Sequence, residues 1–190
     1  MRYQNEDTPW EKGYAAPPLE EFLEKEPSFV QGSVLVPGCG LGHDVRLLAR
    51  QTGCLPHGLD IAPLALERAR AIPNLAGEVY HLANFLDLPS GFHSAYDWLF
   101  EHTCLCALKP TLREAYVNSA WVALKPEGKL LGIFYVNVDQ PDAGHPPYQI
   151  SSDEIDALFG EHFRTVRKWV PGRSYPSREN REEMRIMVRI

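Results

Sequence analysis

Three glycines spaced by one residue, Gly38, Gly40 and Gly42, follow directly on the apolar run Val34-Leu35-Val36, and an acid, Asp60, stands at the end of the next such run. Glycine lets a backbone turn sharply and leaves no Cβ between the chain and a ligand. A strand running into such a turn and then into a helix is the plan of a nucleotide-binding crevice. An aspartate at the end of the following strand is placed to accept hydrogen bonds from ribose hydroxyls. The same residues also admit a plainer account: a glycine-rich turn can be purely structural, and Asp60 can cap a helix that Pro63 opens. A dinucleotide fingerprint, G-x-G-x-x-G, wants a third glycine where this chain has His43. His43 itself is most simply a residue of the first helical turn. His102, at the end of the apolar run Tyr96–Glu101, is the one titratable side chain placed to take up a proton there, or else to pack.

Hydrophobic periodicity supplies the elements that hold these residues. Leu19, Phe22 and Leu23 recur at helical spacing, behind Thr8-Pro9-Trp10-Glu11-Lys12-Gly13. A tryptophan between proline and glycine must bury its ring to be ordered, as a plug over the sheet edge or as a lid over a site. A helix over 44–51 places Asp44 where a carboxylate complements the helix dipole. Strands over 55–60, 78–83 and 96–101 alternate with a helix over 63–71. Asn84 and Phe85 end the third strand on the same edge as Asp60. An amide there can read a base edge and a ring can stack on it, although Asn also simply ends strands and Phe fills cores. Thr111-x-x-Glu114 has the form of a capping box, residues 124–128 read as a turn, and residues 130–136 form a nearly continuous apolar run of the kind covered on both faces. After a proline-rich loop over 140–147, Ser151 to Gly160 read as a short helix and 163–170 as a strand. A final strand alternates Met184, Ile186, Val188 and Ile190 with Arg185 and Arg189 on the other face. Strand alternating with helix means a parallel, doubly wound α/β sheet, and two consecutive strands at the end must pair antiparallel.

At 190 residues the chain suits a single domain without disulfides or metal. Its parts are an N-terminal lid segment (1–30), a binding core (31–137) and a C-terminal helix with antiparallel strands (138–190). A net charge of −6 without a long basic run argues against nucleic acid or an anionic membrane as partner. No membrane-length apolar run and no signal-peptide core are present, so the expected location is the cytoplasm. Cys39, Cys54, Cys104 and Cys106 form no C-x-x-C pair and are expected to be reduced, the last two as small buried thiols. The expected state is a monomer, and no metal is called for.

The loop spacing is that of S-adenosylmethionine methyltransferases, and further segments carry the likeness to one family. Thr8-Pro9-Trp10-x-x-Gly13, Val36-Pro37-Gly38-Cys39-Gly40-x-Gly42-His43-Asp44, Gly58-Leu59-Asp60-Ile61, Cys106-Ala107-Leu108, Leu124-Lys125-Pro126-x-Gly128 and Pro146-Pro147-Tyr148 occur in order. Together they resemble the thiopurine methyltransferase family, nearest its halide and thiol methyltransferase branch. The resemblance implies a Rossmann-like sheet of seven strands, mostly parallel, with S-adenosylmethionine bound at the carboxyl edge. It implies Trp10, Gly38, Cys39, Gly40, Asp60, Ile61, Asn84, Phe85, Glu101 and His102 as cofactor-binding residues, and Tyr14, Tyr135 and Tyr148 as acceptor-site candidates. Asn84 and Glu101 stand where the branch has aspartate, His102 where it has tyrosine, and Tyr3 where a further tryptophan is expected. The expected reaction is in-line methyl transfer to a small soft nucleophile (thiol, hydrosulfide, halide or thiopurine), with no indispensable general base. The cofactor-facing edge, with Trp10, Phe85, Cys104, Leu105, Tyr135 and Tyr148, is largely apolar or aromatic. The alternatives are an O- or N-methyltransferase of a small metabolite, a non-catalytic S-adenosylmethionine-binding protein, and a nicotinamide oxidoreductase; His43 and the terminal antiparallel pair speak against the last.

Overall fold

The computed structural model describes residues 8–73, 77–138 and 144–190. The element order is α1 (Pro17–Lys25), β1 (Gly32–Pro37), α2 (His43–Ala49), β2 (Cys54–Asp60), α3 (Pro63–Ala71), β3 (Val79–Leu82), β4 (Tyr96–His102), α4 (Arg113–Ala123), β5 (Leu124–Tyr135), α5 (Ser152–Phe159), β6 (Phe163–Trp169) and β7 (Glu182–Arg189). Seven strands form one sheet in the order β3-β2-β1-β4-β5-β7-β6, the Rossmann-like α/β arrangement expected from the sequence. The first five are parallel to one another, and β7 is antiparallel to both β5 and β6.

The central strands are apolar on both faces because both faces are covered. Val34, Val36, Phe100, Leu131 and Ile133 pack with Leu19, Phe22 and Leu23 of α1 and with Val45 and Leu48 of α2. On the opposite face Leu35, Leu99, Leu130 and Phe134 meet Tyr116, Val117 and Ala120 of α4 and Ile155 and Phe159 of α5. Each fully buried side chain of this size contributes about 1.5–3 kcal/mol, which fixes the sheet as a rigid platform. From β1 the chain winds outward to β3 and then returns to place β4 on β1's other side. The crevice of such a switch opens at the carboxyl ends of β1 and β4.

Local expectations change around α4 and β5. Thr111 does not cap α4: Pro110–Leu112 form a 3-10 turn, so Thr111 lies inside it, and α4 begins at Arg113 without a side-chain cap. The capping box forms instead at Ser151 and Glu154. Residues 124–128 do not end an element but belong to β5 as a bulge, with Glu127 at φ 61° and the register against β4 jumping from Tyr96↔Leu124 to Trp98↔Lys129. Arg185 is not on an outer face. Because β7 lies between β5 and β6, α5 covers it, and Arg185 is fully buried, bonded to Glu183 at 2.6 Å, to Asp156, and to the carbonyl of Ser152 at 2.8 Å. No helix among the described residues is long and apolar enough to cross a membrane. Tyr3, Asn74 and the loop residues 140–143 lie outside the described residues.

Candidate active site

The glycine loop leaves β1 with Gly38, Gly40 and Gly42 all at positive φ. Gly42 is the tightest: an added Cβ would overlap the Tyr80 hydroxyl and approach its ring to 2.7 Å. Asp60, at the end of β2, braces this loop. One carboxylate oxygen accepts from the Gly40 N–H at 2.9 Å and the other from the Ala62 N–H at 2.8 Å. The acid therefore fixes the loop and the turn into α3, and each oxygen keeps a further lone pair for a ligand.

Across the crevice, His102 ends β4. Its Nδ1 lies 2.8 Å from Oδ2 of Asp44, while Oδ1 of Asp44 accepts the Ala16 N–H at 2.7 Å. Asp44 thus bonds across space instead of to its own helix's N–H groups. Burial acts to raise its carboxyl pKa, but the facing His102, in charge and hydrogen bond, together with the Ala16 N–H, holds it below the ordinary value. The Tyr175 ring stacks on His102 at 5.9 Å, and its hydroxyl donates to the carbonyl of Tyr14 at 2.8 Å. The segment before α1 is held at a third point, where Glu11 meets Nε2 of His43 at 2.9 Å. Arg46 donates to His43 Nδ1 at 3.3 Å, so Nε2–H is the end facing Glu11. Trp10, Glu11, Lys12, Tyr14, Gly38, Cys39, Gly40, His43, Asp44, His102 and Tyr175 all line one cleft at the β1/β4 switch.

The other proposed residues divide. Ile61 is largely exposed beside Asp60. Asn84 is exposed, and its side-chain oxygen accepts the Leu86 N–H at 3.1 Å, capping a 3-10 turn over 85–87. Phe85 is buried against Tyr116, ring centroids 4.9 Å apart, which leaves no ring face for a base. Glu101 turns into the core as well. Its two oxygens accept the Leu105 N–H at 2.8 Å and the Tyr116 hydroxyl, and burial raises its pKa despite these bonds. Of the acceptor candidates, Tyr14 lines the cleft. Tyr135 is buried with Cys106 and Val138 beneath the Arg178 guanidinium, 4.7 Å from its ring, and Tyr148 binds the Cys106 carbonyl through its N–H at 2.7 Å. Burial pushes the thiols of Cys54 and Cys106 up to about 12 and raises that of Cys104 well above its ordinary value.

The residues fit S-adenosylmethionine. The loop presents backbone where a Cβ at Gly38 would come within 3.0 Å of Cys104 Sγ, and a buried imidazole nitrogen, Nε2 of His102, faces no hydrogen-bond partner among the described residues. Sequence reasoning missed Tyr175, which sits in an aperiodic stretch between β6 and β7, and it placed Asp44 in the first helical turn, where it lies, without finding its partner His102.

Comparison with known proteins extends this reading. Among solved structures, one from the conversion of a disulfide bond into a thioacetal group during echinomycin biosynthesis superimposes with a TM-score of 0.78 at 22% identity, covering 96% of this chain and 85% of the other. A Burkholderia thailandensis 1,6-didemethyltoxoflavin-N1-methyltransferase holding S-adenosylhomocysteine gives 0.72 at 16% identity, covering 99% and 83%. These likenesses establish the fold. Thiocyanate methyltransferase 1 of Brassica oleracea is 31% identical over 93% of this chain and 78% of its own length, and a probable thiol methyltransferase 2 of Arabidopsis thaliana is 31% identical over 80% and 66%. The family model described as thiopurine S-methyltransferase matches residues 1–183, and with that match spanning both the glycine loop and the β4 histidine, the chain belongs to the thiopurine S-methyltransferase family.

Proposed function

We propose that this enzyme moves a methyl group from S-adenosylmethionine to a small soft nucleophile, of the thiol, hydrosulfide, halide or thiocyanate kind. The observation that carries the acceptor class is the 31% identity to a protein named for thiocyanate across 93% of this chain. The bound donor supplies a methyl sulfonium, an electrophile that asks the protein chiefly for alignment and dryness. The Gly38–Gly40 backbone, Asp60, Ile61, Asn84 and Trp10 are assigned to holding it. Asp60 has lone pairs to offer ribose hydroxyls, and the exposed Asn84 amide has its two donors to offer a base. Phe85 and Glu101 support the site from the core without touching the ligand. The segment carrying Trp10 and Tyr14 serves as the lid that excludes water, which strengthens the electrostatics of a closed site. Positioning of this kind supplies roughly 7–11 kcal/mol over the bimolecular reaction.

The test is a screen of iodide, thiocyanate, hydrosulfide, a small alkylthiol, a thiopurine, an alcohol and an amine, read by formation of S-adenosylhomocysteine. Turnover of the soft acceptors is expected. Turnover of the alcohol or the amine alone would overturn the reading.

A further inference from the structure

We propose that Asp44 and His102 form a proton-accepting pair that serves acceptors arriving with a proton on sulfur, so that the site is built for thiols and not only for anions. The inference rests on the methyltransferase reading above and specifies its acceptor.

The geometry fixes where the proton sits. An ionised carboxylate only accepts hydrogen bonds, so Oδ2 of Asp44, 2.8 Å away, places the imidazole hydrogen on Nδ1. The neutral ring then presents its lone pair at Nε2. That nitrogen is buried and has no hydrogen-bond partner among the described residues, an arrangement that is destabilising for a buried polar atom. Polar groups of the same cleft are engaged elsewhere: the Tyr175 hydroxyl is committed to the Tyr14 carbonyl, and Glu11 is held by His43 and the Gly13 N–H. The Nε2 lone pair is therefore assigned to a ligand. It lies at the carboxyl end of β4, across the cleft from the Gly38 loop, where the fold places its ligands.

A free thiol ionises near pH 8.5, so at neutral pH most of it arrives protonated. As the new S–C bond forms, the thiol's S–H bond breaks and its proton passes to Nε2. The freed sulfur electron pair takes the methyl group, whose former bonding pair stays with the departing thioether. The imidazolium so formed is stabilised by Asp44 and returns its proton to solvent when products leave. Iodide and thiocyanate bring no proton and need none of this. The charged and titratable groups around His102 are Asp44 and its neighbour His43 on α2, Glu101 beside it on β4, Tyr175 and Arg178 from the β6–β7 connection, and Glu11 from the N-terminal segment.

The experiment uses the whole chain as wild type, His102→Gln and Asp44→Asn, with 2-mercaptoethanol and iodide as acceptors at pH 7 and pH 9.5. General-base catalysis contributes about 100-fold or more. The thiol-to-iodide ratio of kcat/KM should therefore fall about 100-fold in His102→Gln at pH 7, less in Asp44→Asn, and recover towards wild type at pH 9.5, where the thiol ionises unaided. Nitrogen-15 NMR of the ligand-free wild type should show the imidazole proton on Nδ1, with a mixed tautomer in Asp44→Asn. Calorimetry with S-adenosylhomocysteine establishes that each variant is folded and binds. An unchanged ratio at both pH values, or a proton on Nε2 in the free protein, overturns the pair while iodide turnover leaves the broader reading standing. Failure of the wild type on every soft acceptor overturns both.

Discussion

The Tyr175 hydroxyl donates to the carbonyl of Tyr14 at 2.8 Å, and their rings meet edge to face at 5.0 Å. Residues 161 positions apart thus meet at the same cleft, so the segment before α1 is clasped by the connection between β6 and β7.

Tyr175→Phe removes this hydrogen bond and keeps the ring against His102. A neutral hydrogen bond contributes about 0.5–1.5 kcal/mol, so amide exchange over residues 8–16 should quicken roughly three- to tenfold. Exchange at the wild-type rate would mean that the segment is held without the clasp. Deleting residues 1–16 should abolish turnover while the sheet remains folded, as judged by circular dichroism.

Asp60→Ala removes the acceptor for two backbone N–H groups as well as the acid proposed for ribose. Hydrogen bonds to a charged group contribute about 1.5–3 kcal/mol. The dissociation constant for S-adenosylmethionine should therefore rise at least about tenfold. A loss of about 2 kcal/mol in stability lowers Tm by roughly 4–8 °C for a chain of this size. Calorimetry that finds unchanged affinity would remove Asp60 from the binding site and leave it a loop brace.

Gly42→Ala should be destabilising by about 1–3 kcal/mol, because the residue sits at φ 77° and the new Cβ overlaps the Tyr80 hydroxyl. Tyr80→Phe in the same chain removes the overlapping oxygen. Denaturant unfolding should show the double variant losing at least about 0.5 kcal/mol less than the sum of the single variants. Strict additivity would place the strain in the backbone and the Tyr80 ring instead of its hydroxyl.

Glu101 gives a pH signature. Its folded-state pKa is raised above the ordinary 4.5 by burial. The folded protein therefore binds more protons than the unfolded chain across that interval, and this contribution to stability is present below pH 4.5 and is lost as pH rises through the folded value. In urea titrations the stability of wild type relative to Glu101→Gln should fall between pH 4.5 and neutrality. A difference that grows with pH would show that the Tyr116 and Leu105 bonds outweigh desolvation.

The alternation of strand and helix, the glycine turn and the terminal antiparallel pair were legible because each is a local pattern of residue types. The direction of individual side chains at the strand ends was not. Glu101 and His102 are adjacent in sequence and end the same strand, yet the pleat sends one into the core against Tyr116 and the other to Asp44. Phe85 likewise follows the core while Asn84 stays at the surface. Asp44 satisfied a helix-dipole rule in the sequence, but a long-range partner, His102, won its carboxylate. Alternation set Arg185 on the face opposite Met184, and it could not show that this face is covered too, as it is on an interior strand.

The position of β7 also governs the order in which the sheet can be assembled. β6 precedes β7 in the chain but touches the sheet only through it, since β7 pairs with both β5 and β6. During synthesis, at roughly 5–20 residues per second, residues 163–169 emerge before the strand they need. Until residues 182–189 follow, the apolar flank of β5 is an open edge, a template for pairing with any other extended chain. The last strand to be made is thus the one that closes the sheet, and a ribosome stalled just short of it would leave an aggregation-prone chain with its glycine loop already in place.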